Sequence, residues 1–291
     1  MAEIPLPYFA SSKDLPHRLP TTEEIRLSEV ISKSSGRKIV RVDSHFVVKF
    51  GPGVDLLEGR NMLFVSQRTS IPIPRVHAIY SVPNEGTAAI HYIVMENVAG
   101  DTLASRWPTL SMSQKKLISA KLKAFCSQLR SLPSPDYFGS LGGRPLLDPL
   151  LWTHDSTCSG PFESEAALNE AMVRKYIYNG LPTHKANFYH AAFPVVFSGH
   201  QPVFTHGDLQ RKNILIKDTI GSDSAGEHDS AVVIVDWEFS GWYPSYWEFA
   251  TAMFANGRWD DDWHEWVREI LPDCYLNEYA WIQMLRQELW S

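Results

Sequence analysis

The amino-acid sequence predicts an α+β fold with two lobes, a small β-rich N-terminal lobe and a larger, mainly helical C-terminal lobe. Before residue 97, short β-branched runs alternate with turn residues, and one helical pattern is inserted among them. Farther along, apolar residues recur at helical spacing, most clearly over residues 113–130. The boundaries that follow are an N-terminal lobe at 1–96, a connector at 97–101 and a C-terminal lobe at 102–291. We expect a small-molecule site in the cleft between such lobes.

The composition is that of an ordinary globular protein. The 291 residues are 44% hydrophobic and 12% aromatic, which is enough for a sizeable core. A formal net charge of -6 gives no basic surface of the kind that nucleic-acid binding requires. The first residues lack a cationic start followed by an apolar segment, and no apolar run approaches the length of a membrane span. We therefore expect a cytoplasmic protein that binds neither nucleic acid nor membrane.

The elements of the N-terminal lobe follow from local patterns. Residues 1–20 are proline-rich and should form an extended arm. Thr21 with Glu24 three residues later is a capping-box pattern, and it predicts a short helix that carries the apolar residues up to Ile31. The β-branched runs on either side of DSH predict a hairpin whose second strand contains Lys49. A helix should follow over residues 55–68, and then two strands, in IPIPRVHAIY and HYIVMENV.

The C-terminal lobe should contain at least four helices and one hairpin. The helical patterns cover 113–130, 163–178, 183–193 and 275–290. The runs NILIK and AVVIVDW, separated by a polar loop at 218–230, should pair as a hairpin. Residues 131–162 are rich in proline, glycine and serine, and they are expected to be a connector.

The candidate catalytic residues lie in HGDLQRKNIL, residues 206–215, and in VVIVDWE. The first segment has the spacing H-x-D-x-x-x-x-N of the protein-kinase catalytic loop, which makes Asp208 a candidate base and Asn213 a candidate metal ligand. Asp236 ends a β-branched run, where a buried carboxylate needs a metal or hydrogen bonds. With Asn213 it should hold Mg²⁺ against the phosphates of a nucleotide. The alternative is that HGD is an ordinary turn, which would leave Asn213 and Asp236 unexplained.

Lys49 and Glu58 are a candidate phosphate-binding pair. Lys49 would contact the α- and β-phosphates of ATP, and Glu58 on the following helix would hold it by an ion pair. Lys49 could instead be an edge-strand lysine, and Glu58 could close a capping box with Asp55. Glu238 is a candidate ligand close to the metal, or a surface carboxylate. A glycine-rich phosphate loop is missing, since only a Ser/Gly turn around Gly36 precedes the lysine strand.

Taken in order, these motifs resemble the aminoglycoside phosphotransferase and choline kinase branch of the protein-kinase-like fold, and most closely its fungal members. The matching segments are VVKFG, TSIPIPRVHA, VMENVAGDTL, HGDL with its asparagine, IVDWE and GWYPSYWEF. The resemblance covers about residues 38–260 and implies ATP and Mg²⁺ as cofactors. It assigns the roles given above to Lys49, Glu58, Asp208, Asn213 and Asp236. It also implies that the backbone near the connector receives adenine, at Met95, Glu96, Asn97 and Val98.

Two departures separate the chain from protein kinases and argue against a peptide substrate. Gln210 stands where their catalytic loop has a lysine, and no activation segment ending in APE follows Asp236. The expected acceptor is therefore a hydroxyl group of a small molecule. One interpretation is a cationic acceptor, because aromatic and acidic residues alternate near the C-terminus. The candidate contacts there are Trp242, Trp247, Asp260 and Trp263, together with Glu238. The alternatives are that the tryptophans are core residues and that the acidic run is the first turn of a helix.

The sequence therefore predicts an ATP- and Mg²⁺-dependent phosphotransferase that moves the γ-phosphate to a small-molecule hydroxyl. The weak phosphate loop keeps a second reading open, in which the chain is a kinase-fold protein that binds a nucleotide or another ligand without turnover.

Overall fold

A computed structural model describes residues 4–84, 86–153, 156–218, 230–255, 259, 261–271 and 273–290. The chain forms two compact units. The first consists of residues 1–101 with 215–238, and the second of residues 102–214 with 239–291. The lobe boundaries derived from the sequence stay a prediction.

The strands are β1 (Tyr8–Phe9), β2 (Glu29–Ser34), β3 (Arg37–Val42), β4 (Phe46–Gly51), β5 (Val76–Asn84), β6 (Thr87–Glu96), β7 (Asp101–Thr102), β8 (Pro202–Thr205), β9 (Ile214–Asp218), β10 (Ser230–Ile234) and β11 (Gly241–Pro244). The helices are α1 (Thr22–Leu27), α2 (Leu57–Arg68), α3 (Leu103–Arg106), α4 (Met112–Arg130), α5 (Glu165–Tyr178), α6 (Thr183–Val196), α7 (Trp247–Phe254), α8 (Trp263–Ile270) and α9 (Leu276–Leu289). None of the helices in the described ranges is both long enough and apolar enough to cross a membrane.

The first unit is built on a six-stranded antiparallel sheet in the order β1-β5-β6-β4-β3-β2. The hairpin predicted around DSH is β3–β4, and its turn includes Asp43 in the left-handed region, at φ 51°. One face of the sheet buries a cluster that includes Val40, Val48 and Tyr92. Lys49 lies opposite Ile93, and Ile93 opposite Ile79. These three residues share the other face of the sheet, since directly opposed residues point the same way.

Helix α2 covers this second face of the sheet. A Cβ atom at Gly59 would lie 2.7 Å from Cδ1 of Ile79 and 3.5 Å from Cγ2 of Ile93, so only glycine allows so close an approach. The side chains near the start of α2 are thereby brought to the face that carries Lys49. The first unit also contains β9 and β10, which are neighbours in a smaller sheet, as the NILIK and AVVIVDW runs predicted. The polar loop between them is outside the described residues.

The helix predicted from Thr21 is present but shorter than expected. Thr21 and Glu24 form the capping box, and α1 ends at Leu27. Val30 and Ile31, which were expected on the helix, lie in β2 and are 52% and 47% exposed. Their β-branched side chains favour the strand that pairs with β3, and tertiary pairing overrides the helical spacing here.

The second unit is mainly helical, and its core is formed by α5, α6, α7 and α9 with the segment before α5. All four helices predicted from apolar spacing are present, as α4, α5, α6 and α9. The segment at 131–162, expected to be a connector, is a core element instead. Leu146, Leu150 and Leu151 are fully buried, and Phe138 pairs with Phe162 in an isolated bridge. Apolar residues spaced between prolines and glycines do not show a helix or strand period, so the pattern gave no sign of their burial.

Candidate active site

In the first unit, Lys49 is surrounded by three carboxylates. Its Nζ atom lies 2.7 Å from Oε2 of Glu58, 3.0 Å from Oδ1 of Asp236 and 3.4 Å from Oε2 of Glu238. The ion pair with Glu58 that was predicted from the sequence is present, and both side chains are buried. The alternative reading of Lys49 as an exposed edge lysine is wrong, because β4 is an inner strand of the sheet. Whether this pair binds phosphate stays a prediction.

The alternative reading of Glu58 as half of a capping box is also wrong. The carboxylate of Asp55 accepts a hydrogen bond from the N–H of Leu57 at 2.9 Å, and Glu58 points its own carboxylate at Lys49. Asp55 therefore orders the start of α2 without Glu58. This arrangement leaves Glu58 available to hold the lysine.

Burial and charge act against each other in this cluster. Burial alone would lower the pKa of Lys49, but attraction to Glu58, Asp236 and Glu238 outweighs it, so the pKa of the lysine lies above its usual value. Burial raises the pKa of Glu58 to about 7, against the opposing effect of Lys49. Asp236 and Glu238 add to the rise by repulsion. Lys49 is thus cationic at neutral pH, and the carboxylates around it outnumber it.

Asp236 is held in an unusual backbone conformation. Strand β10 ends at Ile234, and Asp236 follows with φ 67°, which is a left-handed conformation that non-glycine residues rarely adopt. Trp237 anchors the segment, because its Nε1 donates to the carbonyl of Ile234 at 3.0 Å. Its own carbonyl accepts from Nδ2 of Asn61, on α2, at 2.9 Å. Such strain in a well-anchored segment is found most often at functional sites.

The carboxylates of this cluster are suited to a divalent cation. Oxygen atoms of Glu58, Asp236 and Glu238 lie within 4.8 Å of one another, and carboxylate oxygens are the ligands that Mg²⁺ prefers. Glu58 is committed to Lys49, so Asp236 and Glu238 are the residues that could turn to a metal. Glu238 lies beyond the end of β10 and joins the same cluster.

In the second unit, the loop after β8 holds Asp208 by side-chain amides. Nδ2 of Asn213 donates to Oδ2 of Asp208 at 2.7 Å and to its carbonyl at 3.0 Å. Nε2 of Gln210 donates to Oδ1 of Asp208. The N–H of Asp208 donates to Nδ1 of His206 at 3.2 Å, so this histidine helps to hold the loop. The H-x-D-x-x-x-x-N spacing thus folds into one compact loop, in which the amide nitrogen of Asn213 faces Asp208 and its oxygen is the atom that could ligate a metal.

Glu248, near the start of α7, anchors the same loop. Its Oε2 accepts from the N–H of His206 at 2.6 Å, and its Oε1 accepts from the N–H of Gly207 at 3.3 Å. Burial raises the pKa of Glu248 to about 7, against the two hydrogen bonds from the backbone. Gly207 has φ 86°, and a Cβ atom there would lie 2.8 Å from the carbonyl oxygen of Phe239, which explains the glycine of HGD.

Sequence reasoning missed the positions of Gln210 and Glu248. The sequence pattern distinguishes Gln210 only by the lysine that it replaces, and it assigns no role to Glu248. Gln210 stands two residues after Asp208, a spacing at which a side chain can return to its neighbour, so a local signal existed. Nothing local could indicate Glu248, because its partners lie about 40 positions earlier in the chain.

The backbone predicted to receive adenine comprises the last two residues of β6 and the two residues that follow it. Strand β6 ends with Met95 and Glu96. The N–H of Glu96 donates to the carbonyl of Arg75 at 2.8 Å, and the N–H of Asn97 donates to the carbonyl of His45 at 2.9 Å. These two donors are therefore occupied. Within the described part of the chain the N–H of Val98 has no acceptor, so it is the donor that adenine could use.

The tryptophans considered for a cationic substrate are core residues. Trp242, Trp247 and Trp263 are at most 1% exposed, so none of them presents a face to a ligand. Asp260 lies outside the described residues. The alternative reading from the sequence, that these tryptophans belong to the core, is correct for all three. Glu238 belongs to the Lys49 cluster in the first unit.

The chain's own cations occupy the aromatic and acidic groups near α8. The guanidinium carbon of Arg211 lies 5.5 Å from the ring centroid of Trp263, and Arg211 pairs with Asp261 at 2.6 Å. Lys115 lies 4.7 Å from the ring centroid of Trp107 and 2.9 Å from Asp262. The aromatic and acidic pattern seen in the sequence is satisfied by internal cation–π contacts and ion pairs.

The chain has a β-sheet N-terminal region and a helical C-terminal region. This is the protein-kinase-like fold. Within that fold, the sequence model of the APH phosphotransferase enzyme family matches residues 28–285, and the chain belongs to that family. Two subtelomeric hrmA-associated cluster proteins of Aspergillus fumigatus are 33% identical over 97 residues. That match covers 33% of this chain and only 18% of the length of either relative.

Solved structures of aminoglycoside phosphotransferases share the fold at low sequence identity. The GDP and kanamycin complex of APH(2")-IIIa has a TM-score of 0.57 and 14% identity, and the match covers 91% of this chain and 84% of that one. The aminoglycoside-3'-phosphotransferase of type VIII has a TM-score of 0.55 and 17% identity, over 90% of this chain and 93% of that one. A spectinomycin phosphotransferase in complex with ADP and spectinomycin has a TM-score of 0.50 and 12% identity, over 89% and 78%.

Proposed function

We propose that this protein is an ATP- and Mg²⁺-dependent phosphotransferase that transfers the γ-phosphate to a hydroxyl group of a small molecule. The observation that carries the proposal is the grouping of Glu58, Asp236 and Glu238 around the Nζ atom of Lys49. A buried lysine among carboxylates suits a site that takes up both a polyphosphate and a divalent cation. Membership of the phosphotransferase family supports the same reaction class.

In this proposal the first unit handles the nucleotide. Lys49 contacts the α- and β-phosphates, and Glu58 fixes its direction. Asp236 would hold Mg²⁺, which neutralises charge on the β- and γ-phosphates when it is bound. Asn213, in the second unit, stays a candidate metal ligand on the sequence pattern. The backbone from Met95 to Val98 would receive adenine, chiefly through the N–H of Val98. Nucleotide complexes among the solved structures with this fold, with GDP and with ADP, support a nucleotide site.

Asp208 is the proposed base. The acceptor's hydroxyl oxygen forms a bond to the γ-phosphorus, and the bond from that phosphorus to the β–γ bridging oxygen breaks, which leaves ADP. The hydroxyl proton passes to Asp208 as the new bond forms. Gln210 and Asn213 each donate a hydrogen bond to the carboxylate of Asp208, so they orient it toward the acceptor. The loop needs little else, because phosphoryl transfer depends mainly on positioning.

A small-molecule acceptor is supported by the related structures, which hold kanamycin or spectinomycin in the complexes named above. A cationic acceptor has less support than the sequence suggested, since the tryptophans expected to bind it are buried. The reaction is best tested with a panel of amino alcohols, sugars and aminoglycosides, each assayed for acceptor-stimulated ADP release. We expect at least one hydroxylated compound to accelerate ADP release in the presence of Mg²⁺.

The Asp208→Asn variant tests the proposed base. Its turnover should fall by a factor of about 10²–10⁴, the usual contribution of a general base, while Mg²⁺·ATP affinity stays near that of the wild type. Asp136→Asn is the matched control, because Asp136 is an exposed aspartate of the same unit. Equal turnover in Asp208→Asn and the wild type would contradict the role of Asp208. Binding of Mg²⁺·ATP with no ADP release for any compound would instead favour the kinase-fold binding protein without turnover.

A further inference from the structure

The turn between β2 and β3 is held in place by the loop that follows β4, the strand that carries Lys49. Gly36, at φ 73°, joins β2 to β3. Its carbonyl accepts a hydrogen bond from the N–H of Gly53 at 2.9 Å. A Cβ atom at Gly51 would lie 2.1 Å from that carbonyl oxygen, so residues 51–53 pack directly against the turn. The turn is therefore preorganised without the repeated glycines of a phosphate loop.

Arg37 follows this turn and is held at two points. Its Nε atom donates to the carbonyl of Gly53 at 2.6 Å, and its Nη1 atom donates to Oε2 of Glu238 at 2.6 Å. These bonds fix the plane of the guanidinium group. Its Nη2 atom donates to no acceptor among the described residues, and the side chain is 38% exposed. One edge of an oriented guanidinium group is thus available to a ligand.

This guanidinium group is close to the ammonium group of Lys49. The same Glu238 oxygen lies 2.6 Å from Nη1 of Arg37 and 3.4 Å from Nζ of Lys49. The two cationic nitrogens are therefore no farther apart than the sum of these distances. A polyphosphate chain that contacts Lys49 with one phosphate can reach Arg37 with the next. Arginine suits such a contact, because its planar fork matches the oxygens of a phosphate group.

We propose that Arg37 is a nucleotide-binding residue whose Nη2 edge contacts the β- or γ-phosphate, while Glu238 and the carbonyl of Gly53 hold it in position. Arg37 would supply the contact that the N–H groups of a glycine-rich loop would otherwise make. This inference rests on the proposed function, since it requires that the protein binds ATP. A second role follows for Glu238, which positions Arg37 whether or not it also approaches the metal.

The test compares ligands that differ only in their phosphates. Adenosine, AMP, ADP and ATP, each with Mg²⁺, are titrated by calorimetry into the wild type and into Arg37→Gln. We expect Arg37→Gln to bind ADP or ATP about tenfold more weakly, since a charge-assisted hydrogen bond is lost, and to bind adenosine and AMP as the wild type does. Magnesium tripolyphosphate, which lacks the nucleoside, should show the same loss.

Arg41→Gln is the matched control. Arg41 lies on the same strand and pairs with Glu29 at 3.0 Å, but that pair is exposed and has no contact with Glu238. Removing its charge should leave all four affinities unchanged. Arg37→Lys keeps the charge but loses the fork, so it should bind ATP more weakly than the wild type and more tightly than Arg37→Gln. It also serves if Arg37→Gln is too unstable to titrate.

The outcomes separate this inference from the proposed function. A wild type that binds none of the nucleotides contradicts both. If the wild type binds ATP and Arg37→Gln binds it equally well, only the role of Arg37 is wrong. If Arg37→Gln weakens adenosine and ATP by the same factor, Arg37 merely holds the loop, and the inference is again wrong. The inference requires a loss that depends on the number of phosphates.

Discussion

Two buried glutamates, one in each unit, show two ways of keeping a carboxylate inside a protein. Glu58 is paired with the cationic side chain of Lys49 at 2.7 Å. Glu248 has two backbone N–H groups, those of His206 and Gly207, at 2.6 and 3.3 Å. Burial raises the pKa of each to about 7. The same residue type, buried in both units, is thus compensated by a side-chain cation in one unit and by backbone N–H groups in the other.

The difference matches what each region has to do in the proposed reaction. A lysine among three carboxylates can exchange one of them for a phosphate, so the first region responds to its ligand. Peptide N–H groups cannot leave the backbone, so Glu248 keeps the loop of Asp208 in one conformation. We infer that the Lys49 cluster changes its contacts on nucleotide binding and that the loop of Asp208 is preorganised.

The largest expected effect comes from removing the positive charge of Lys49. Lys49→Met leaves the buried Glu58 without its cation, and the free energy of unfolding should fall by about 3–5 kcal/mol at about pH 9, where the carboxyl of Glu58 is ionised. The loss should be smaller at about pH 5.5, because Glu58 can then take up a proton. Urea unfolding at the two pH values measures both losses. The exposed Lys38 of the neighbouring strand is the control, and Lys38→Met should change stability by about 0.5 kcal/mol or less. Equal losses at both pH values would mean that Glu58 stays ionised.

The next effect is the pH dependence of the wild type. Both Glu58 and Glu248 have a pKa raised from 4.5 to about 7, so the folded protein binds more protons than the unfolded chain between these values. The free energy of unfolding should therefore fall as pH rises from 4.5 to about 7 and then level off. Each carboxyl should contribute on the order of 3 kcal/mol. Lys49 does not contribute to the pH dependence of the free energy of unfolding, since its raised pKa keeps it protonated over this pH range.

Urea unfolding midpoints across this pH range provide the measurement. Glu58→Gln and Glu248→Gln should each flatten the curve, because each removes one of the two titrating groups. A curve that keeps its full slope in both variants would assign the pH dependence to other residues and would break the comparison between the two glutamates.

A smaller effect should come from weakening the two hydrogen bonds that Glu248 accepts from the backbone. Glu248→Gln retains one acceptor oxygen but turns an amide NH₂ toward one of the two backbone donors. We expect a loss of about 1–3 kcal/mol in stability and a turnover about tenfold lower, with Mg²⁺·ATP affinity unchanged. Glu269→Gln on α8 is the exposed control and should match the wild type. A drop in ATP affinity without a drop in turnover would show that Glu248 does not act through the loop of Asp208.

The smallest effect compares two similar hydrogen bonds. Nδ2 of Asn61 donates to the carbonyl of Trp237 at 2.9 Å in the first unit, and Nδ2 of Asn169 donates to the carbonyl of Phe197 at 2.8 Å in the second. Each alanine variant should lose about 0.5–1.5 kcal/mol of stability from its missing hydrogen bond. Only Asn61→Ala should also weaken Mg²⁺·ATP binding, because Trp237 directly follows Asp236. If Asn169→Ala weakens binding equally, the effect is one of general stability.

Much of the fold could be predicted from the sequence because its signals are local. The β3–β4 hairpin, the capping box at Thr21 and the four long helices follow from patterns within a few residues. The errors occurred where distant contacts decided the outcome. Val30 and Ile31 lie in a strand because Val30 pairs with Val40 of β3, with Ile31 at the register shift beside it. The segment at 131–162 became core although it has no regular period.

The candidate site divides in the same way. Lys49, Glu58, Asp208, Asn213 and Asp236 could be named from residue type, order and spacing, and the Lys49–Glu58 pair is formed as expected. Glu248 and Arg37 could not be assigned roles, since their partners lie far away in the sequence, at His206 and Glu238. The tryptophans near the C-terminus were ambiguous for a related reason. The sequence alone does not show whether the ring of an aromatic residue beside acidic ones is buried in the core or exposed to a ligand.

The sequence by itself therefore determined the reaction class to test, the order of the elements and the residues that carry charge. Only the tertiary structure decided which of those charges meet, and it placed Arg37 and Lys49 on one oxygen of Glu238. The physical reason is the separation along the chain over which each kind of interaction acts. Helix, strand and loop preferences act over a few residues, whereas burial and ion pairing depend on distances that only the folded chain fixes.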